Sequence, residues 1–325
     1  MNPEDDNGTT PAAPKAWLPA ADLHRLSGAE ALALVDEQFG SSDGWTSELM
    51  RYRLTSDYQA DWKEEIGHWL DTAGRHGFLA PLLHRVLTRA KVHGDDDARN
   101  PNDAGHQILA QELAPAMVVH HLTGTGWGFS RWEPKSPGGI DVDVELSAPD
   151  GTAVQIQVKA PDQPGRHAGC QLVDGEYDAR VVTAVHKAAG QLPRDGPETK
   201  LIFVCANREL GLATEPACLV TELIGATMGD GVVVYLPRSK LGAFFRPEWA
   251  HVGAVVLLDF VRSFSGGGYA CTVLTNPEAS VPADRAWFPR GRVCLFDGRA
   301  FRWTPDAPGI THTLPDGTCI RDDAG

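Results

Sequence analysis

Hydrophobic and polar positions give this chain two textures. Between Ala21 and Ala90 the apolar residues recur every three or four positions in LHRLSGAEALALVDEQF, WTSELMRYRL, WKEEIGHWLDTAGRHG and LAPLLHRVLTRA, the spacing of amphipathic helices. Gly40-Ser41-Ser42 and Gly77 break the series, and Ser27 with Glu30 forms a capping box at the start of one helix. After the polar run Gly94 to Asn102 the pattern changes. His106 to Leu122 predicts a helix with Asp103 as N-cap, in which Pro115 demands a kink or a later start. Trp127 to Glu133 predicts a strand, Asp178 to Leu192 a helix, and the unbroken apolar run Lys200 to Ala206 a buried strand. Further on, Cys218 to Met228 predicts a helix, and Val232 to Leu236 and Val252 to Phe260 predict strands. Gly266-Gly267-Gly268 predicts a turn into the strand Tyr269 to Leu274, and Arg292 to Phe296 with Ala300 to Trp303 a hairpin around Asp297-Gly298. These later elements are expected to extend one sheet, with a Pro-, Gly- and Asp-rich tail from Thr304 that wraps or frays. The expected division is a disordered lead-in over 1–15, a small all-α bundle over 16–94, a linker over 95–102 and an α/β domain with a C-terminal extension over 103–325.

Between the first strand and the second long helix lies GGIDVDVELSAPDGTAVQIQVKAP, Gly138 to Pro161. Polar and apolar residues alternate from Asp141 to Leu146 and again from Val154 to Lys159, the period of half-buried strands. Pro149-Asp150-Gly151 between them suits a three-residue hairpin loop. With Ala148 and Thr152 as the closing pair, Val142 faces Val158, Val144 faces Ile156 and Leu146 faces Val154, so the aliphatics share one side. The other side carries Asp143 opposite Gln157, Asp141 opposite Lys159, and Glu145 opposite Gln155. A loop one residue shorter would send the aspartates and the lysine to opposite sides.

Carboxylates beside an amide oxygen make a hard, oxygen-rich site suited to Mg²⁺ or Mn²⁺. A lysine two residues beyond the glutamine can help deprotonate a metal-bound water and offset charge on a pentacoordinate phosphate. The bland alternative is a surface hairpin with a polar outer side.

The order helix, three strands, helix, strand, with an aspartate on the second strand and Gln157-Val158-Lys159 on the third, resembles the PD-(D/E)XK nuclease superfamily, and most of all its Mrr-like branch. The resemblance covers roughly Asp103 to Ala206. It implies a restriction-endonuclease-like mixed sheet, with Asp143 or Asp141 as the metal aspartate, Gln157 as the second metal ligand, Lys159 as the catalytic lysine and Glu112 on the first helix as an accessory acid. Asp143 ranks ahead of Asp141 because it faces Gln157. Glutamine in place of an acid removes one charge from such a site. In the N-terminal part, LSGAEALALVDEQFGSSDGWTSELMRYRL followed by HGFLAPLLHRVLTRA is similar to the effector-associated adapter domains of bacterial conflict systems, helical modules that join matching proteins by homotypic contact. The two resemblances imply a Mg²⁺- or Mn²⁺-dependent nuclease acting on DNA or RNA, the effector of a defence system. Its implied partners are a nucleic acid and a protein, including a second copy of the chain, that meets the helical N-terminus. The rival expectations are a degenerate nuclease fold that binds without cutting and a subunit whose helical part carries the whole function.

Composition limits these readings. The 325 residues carry a formal net charge of −14, and Lys and Arg are outnumbered by Asp and Glu between Ser130 and Leu210. Unaided tight binding to a long polyanion is therefore not expected, and Lys135, Lys159, Arg166 and Lys187 are the candidates for a local cationic groove. The six cysteines form no CxxC pair, which argues against a zinc ribbon or a disulfide framework. No apolar run is long enough for a membrane span and the first residues lack the form of a signal peptide, so the expected location is the cytoplasm. His120 and His121 are adjacent and diverge on a helix, GDDDARNPN lacks the rest of a calcium loop, and neither GxSxG nor GxxxxGK occurs.

Overall fold

The computed structural model describes residues 20–38, 56–96, 101–134, 142–161, 174–205, 217–229, 232–235, 242–263, 266–289, 291–296, 301–304, 310–313 and 319–322. The helices are α1 (Ala20–Leu23), α2 (Gly28–Gln38), α3 (Ser56–Arg75), α4 (Leu79–Asp96), α5 (Pro101–Gly124), α6 (Asp174–Gln191) and the short α7 (Ala217–Leu219). The capping box at the head of α2 forms: Glu30 Oε2 accepts from the Ser27 amide at 2.8 Å and Ser27 Oγ from the Glu30 amide at 3.3 Å. Gly77, at φ 77°, divides α3 from α4. WTSELMRYRL lies outside the described residues. Helix reaches into the run expected as linker, since α4 extends to Asp96 and α5 begins at Pro101. Pro115 does not end α5, although its ring denies the Gln111 carbonyl a helical donor.

The strands are β1 (Gly128–Trp132), β2 (Val144–Ser147), β3 (Ala153–Lys159), β4 (Thr199–Cys205), β5 (Ala226–Gly229), β6 (Val232–Tyr235), β7 (Ala254–Ser263), β8 (Gly266–Thr275), β9 (Arg292–Phe296), β10 (Phe301–Thr304), β11 (Ile310–Thr313) and β12 (Cys319–Asp322). All but β5 and β6, which pair with each other, belong to one ten-stranded mixed sheet in the order β1-β2-β3-β4-β7-β8-β11-β12, with β9 and β10 branching from β8. The fold is therefore α/β, and the order helix, three strands, helix, strand is present in α5 to β4. The hairpin register is as its parity demands, with Val144 opposite Ile156, Glu145 opposite Gln155 and Leu146 opposite Val154. Ala148 and Gly151, at φ 88°, close the turn.

Three expectations are corrected. The helix expected over Cys218–Met228 ends at Gly225, whose left-handed φ of 73° stops a short π turn, and Ala226–Gly229 becomes β5. The glycine triplet is no turn: Gly266, Gly267 and Gly268 pair with Ser263, Arg262 and Val261 inside the β7–β8 ladder. The tail beyond Thr304 supplies two further strands, β11 and β12.

Helices cover both sides of the sheet. Val144, Leu146, Val154, Ile156, Leu201 and Phe203 face a cluster shared with Leu70, Leu82, Val86, Met117 and Val118 of α3, α4 and α5. Ile202, Val204, Val255 and Leu257 face Val181, Val185 and Ala188 of α6. The unbroken apolar run of β4 follows from this, because both of its sides are covered. One polar group is built into the first layer. Glu65 of α3 accepts from the Tyr269 hydroxyl of β8 and, at 3.1 Å, from Trp69 Nε1, while His120 Nδ1 of α5 lies 2.9 Å from Thr72 Oγ1.

Candidate active site at the carboxyl end of β3

The ladder between β2 and β3 ends at Val144 and Ile156, before the expected Asp143–Gln157 and Val142–Val158 pairs, and the site is built where it stops. The register aims the Val158 amide at Val142, but that amide donates instead to Asp143 Oδ2 at 2.7 Å. Gln157, buried at 3% exposure, donates to the same oxygen through Nε2 at 2.6 Å. Asp143 thus faces Gln157, as the parity of the two strands requires, and Lys159 lies two residues on along β3. A cavity of about 740 Å³ opens there, at the carboxyl end of a parallel-paired strand. Lys159 and Gln157 line it with Asp143, Glu112 comes from α5, and Arg180 and Lys187 from α6. The candidates Glu112, Asp143, Gln157 and Lys159 are therefore neighbours. Asp141, Lys135 and Arg166 lie outside the described residues.

Two residues with no local sequence signal complete one wall. Arg85 of α4 donates from Nε to Glu112 Oε2 at 2.6 Å and pairs through its other end with Glu133. Glu133 follows β1 with φ 45°, a left-handed conformation unusual for a glutamate. The strand end that carries it is fixed by Trp132, stacked on Phe78 with 4.2 Å between ring centres.

Burial dominates the electrostatics. It raises the Asp143 carboxyl above its ordinary range despite the Val158 amide, Lys159 and Arg85, and the nearby Glu112 pushes the same way. Burial also lowers the Lys159 ammonium, with Asp143 opposing and Lys187 assisting. A carboxylate whose charged form is disfavoured by burial is one that a cation would relieve. The donor chemistry fits a hard divalent ion: Asp143 and Glu112 supply carboxylates, and the buried Oε1 of Gln157 has no hydrogen-bond partner. With only two carboxylates, the set is smaller than a cluster of three His, Cys, Asp or Glu, and no such cluster occurs among the described residues.

No family model, curated protein or solved structure matches the chain. Among the described residues no helix is long and apolar enough to cross a membrane.

Proposed function

We propose that the chain is a metal-dependent nuclease of the restriction-endonuclease-like, PD-(D/E)XK kind in its Mrr-like form, hydrolysing phosphodiester bonds of DNA or RNA. The observation that carries this reading is the meeting of Glu112, Asp143, Gln157 and Lys159 in one cavity. Asp143, Glu112 and the orphaned oxygen of Gln157 would hold Mg²⁺ or Mn²⁺, which when bound supplies Lewis acidity at the phosphate and acidifies the attacking water. Lys159 has an ammonium whose pKa is lowered by burial. In its neutral form it takes the proton released as water bonds to phosphorus, and in its charged form it offsets the charge that builds on the phosphate oxygens. The bond from phosphorus to the leaving oxygen breaks, and that oxygen takes a proton from solvent. Arg85 holds Glu112 and Glu133 in position.

The helices over residues 20–96 give this reading its second half: an adapter-like bundle that brings the nuclease to a partner protein, or to another copy, within a bacterial defence system. The cytoplasm is the compartment where such an effector would work.

Incubated with plasmid and Mg²⁺ or Mn²⁺, the protein is expected to nick or linearise it, and Lys159→Ala is not. Equal cutting by both proteins would remove this site from the reaction. One observation favours a second reading, a binding or scaffold protein on a degenerate nuclease fold: Asp143 Oδ2 already accepts two hydrogen bonds and Arg85 already occupies Glu112. On that reading Mn²⁺ leaves the melting temperature unchanged.

A further inference from the structure

The cavity's two walls differ in charge. Glu112, Glu133 and Asp143 lie on one wall, and Arg85 between the two glutamates neutralises part of it. The other wall is a face of α6: Arg180, Thr183, Lys187 and Gln191 recur at three- and four-residue steps and all line the cavity. The apolar residues of the helix, Val181, Val185 and Ala188, point to the sheet instead. Arg180 and Lys187 are two turns apart, roughly 10 Å along the axis, which leaves room for each to meet a separate phosphate.

We propose that this face of α6, with Arg180 and Lys187 as the cations, is a phosphate rail that takes a single nucleic-acid strand through two or three phosphates and feeds it to Lys159. The inference rests on the nuclease reading for the fate of the strand, but not for its binding. Three observations set the substrate class. The net charge of −14 disfavours a long polyanion, so binding has to come from a local cationic wall such as this one. A cavity of about 740 Å³ has the size of a small-ligand pocket and holds a short stretch of strand, not a duplex. Among the described residues no aromatic ring lines it, so the lining offers the bases no stacking platform and the strand is held by its backbone without regard to sequence.

The test is fluorescence anisotropy with the full chain in EDTA, where binding is read without turnover. The probes are a labelled twelve-nucleotide strand and the matched duplex, each titrated across a range of salt concentrations. With Arg180, Lys187 and Lys159 engaged, the logarithm of the binding constant should fall against that of salt with a slope of about −2, since each phosphate met on a single strand contributes about 0.7. The strand should bind more tightly than the duplex, and two strands of different sequence should bind alike. Arg180→Gln with Lys187→Gln should reduce the slope to about −0.7 and weaken binding at low salt about tenfold or more, with an unchanged thermal melt. An unchanged slope in the double variant, tighter binding of the duplex with a slope beyond about −5, or no binding of either probe would overturn the rail. Strand binding without any metal-dependent cutting would sink the nuclease reading and leave the rail in place. Cutting by a protein whose binding ignores the double substitution would do the reverse.

Discussion

The group around Glu65 and the group around Asp143 are both polar and largely buried, yet they have opposite characters. Around Glu65, Trp69 and Tyr269 donate to the carboxylate, Thr72 lies within hydrogen-bond reach of His120, and none of these five residues lines the cavity. Burial would raise the Glu65 carboxyl, but the hydrogen bond from His68, the His120 ring beside it and the Tyr269 hydroxyl together draw it below its ordinary range, and burial pushes the His120 imidazole down to about 4. The partners come from α3, α5 and β8, and the cluster pins the helical layer to the sheet. Around Asp143 two acids lie close together, the carboxyl is raised, the lysine is depressed, and a buried amide oxygen has no partner. The difference teaches that burial alone does not mark a reactive site. Partnered groups specify a fold, whereas groups left in electrostatic conflict beside a cavity are available to a ligand.

Substitutions should separate the two regions. The largest effect is expected from Lys159→Ala, which should slow phosphodiester hydrolysis about 10³-fold, or about 4 kcal/mol, while moving the melting midpoint by no more than about 2 °C. Next comes Glu65→Ala, which strands the Trp69 and Tyr269 donors and should lower stability by about 3 kcal/mol, read as a drop of roughly 4–5 °C in the melt. Mn²⁺ affinity per folded molecule should not change. If it fell as far as stability did, the two clusters would be one system.

Acid should act through the first cluster. His120 titrates lower when folded than its ordinary 6.5, at about 4. In the window between those values the unfolded chain binds more protons, so stability falls as pH drops, by on the order of 3 kcal/mol at full extent. Glu65, also depressed, adds a loss at still lower pH. His68, raised mainly by its hydrogen bond to Glu65, works the other way, because its contribution is present in acid and fades as pH rises through its folded value. Denaturant titrations from pH 7 to 4 should show this loss in the wild type and a flatter profile in His120→Asn. The smallest effect is expected from Arg85→Met, which removes the cation held against Glu112: a cost of about 1 kcal/mol in stability and Mn²⁺ binding tighter by about tenfold, measured by calorimetry. Weaker Mn²⁺ binding would show that Arg85 supports the acids more than it competes for them.

The central hairpin was legible because two independent signals agreed on one register, the aliphatic parity of β2 and β3 and the Pro149-Asp150-Gly151 loop. That register carried Asp143 to Gln157, and helical order carried Glu112 to the same cavity. Arg85 and Glu133 were not legible. Arg85 lies on an amphipathic helix in a stretch read as a separate bundle, and its partner Glu112 is 27 positions away. Glu133 reaches it through a left-handed backbone turn that no glutamate advertises. The glycine triplet misled for a related reason: glycine marks a turn and a close-packed strand alike, and only the β7–β8 ladder distinguishes them. Likewise, Asp178 to Leu192 was legible as a helix, but the meaning of its polar face depends on what lies opposite.

The most direct test is a calorimetric titration of Mn²⁺ into the full chain and into Asp143→Asn, which keeps an acceptor for Val158 and removes the charge. The account predicts one saturable site in the wild type and none in the variant. No heat from the wild type, or the same isotherm from both, would contradict it.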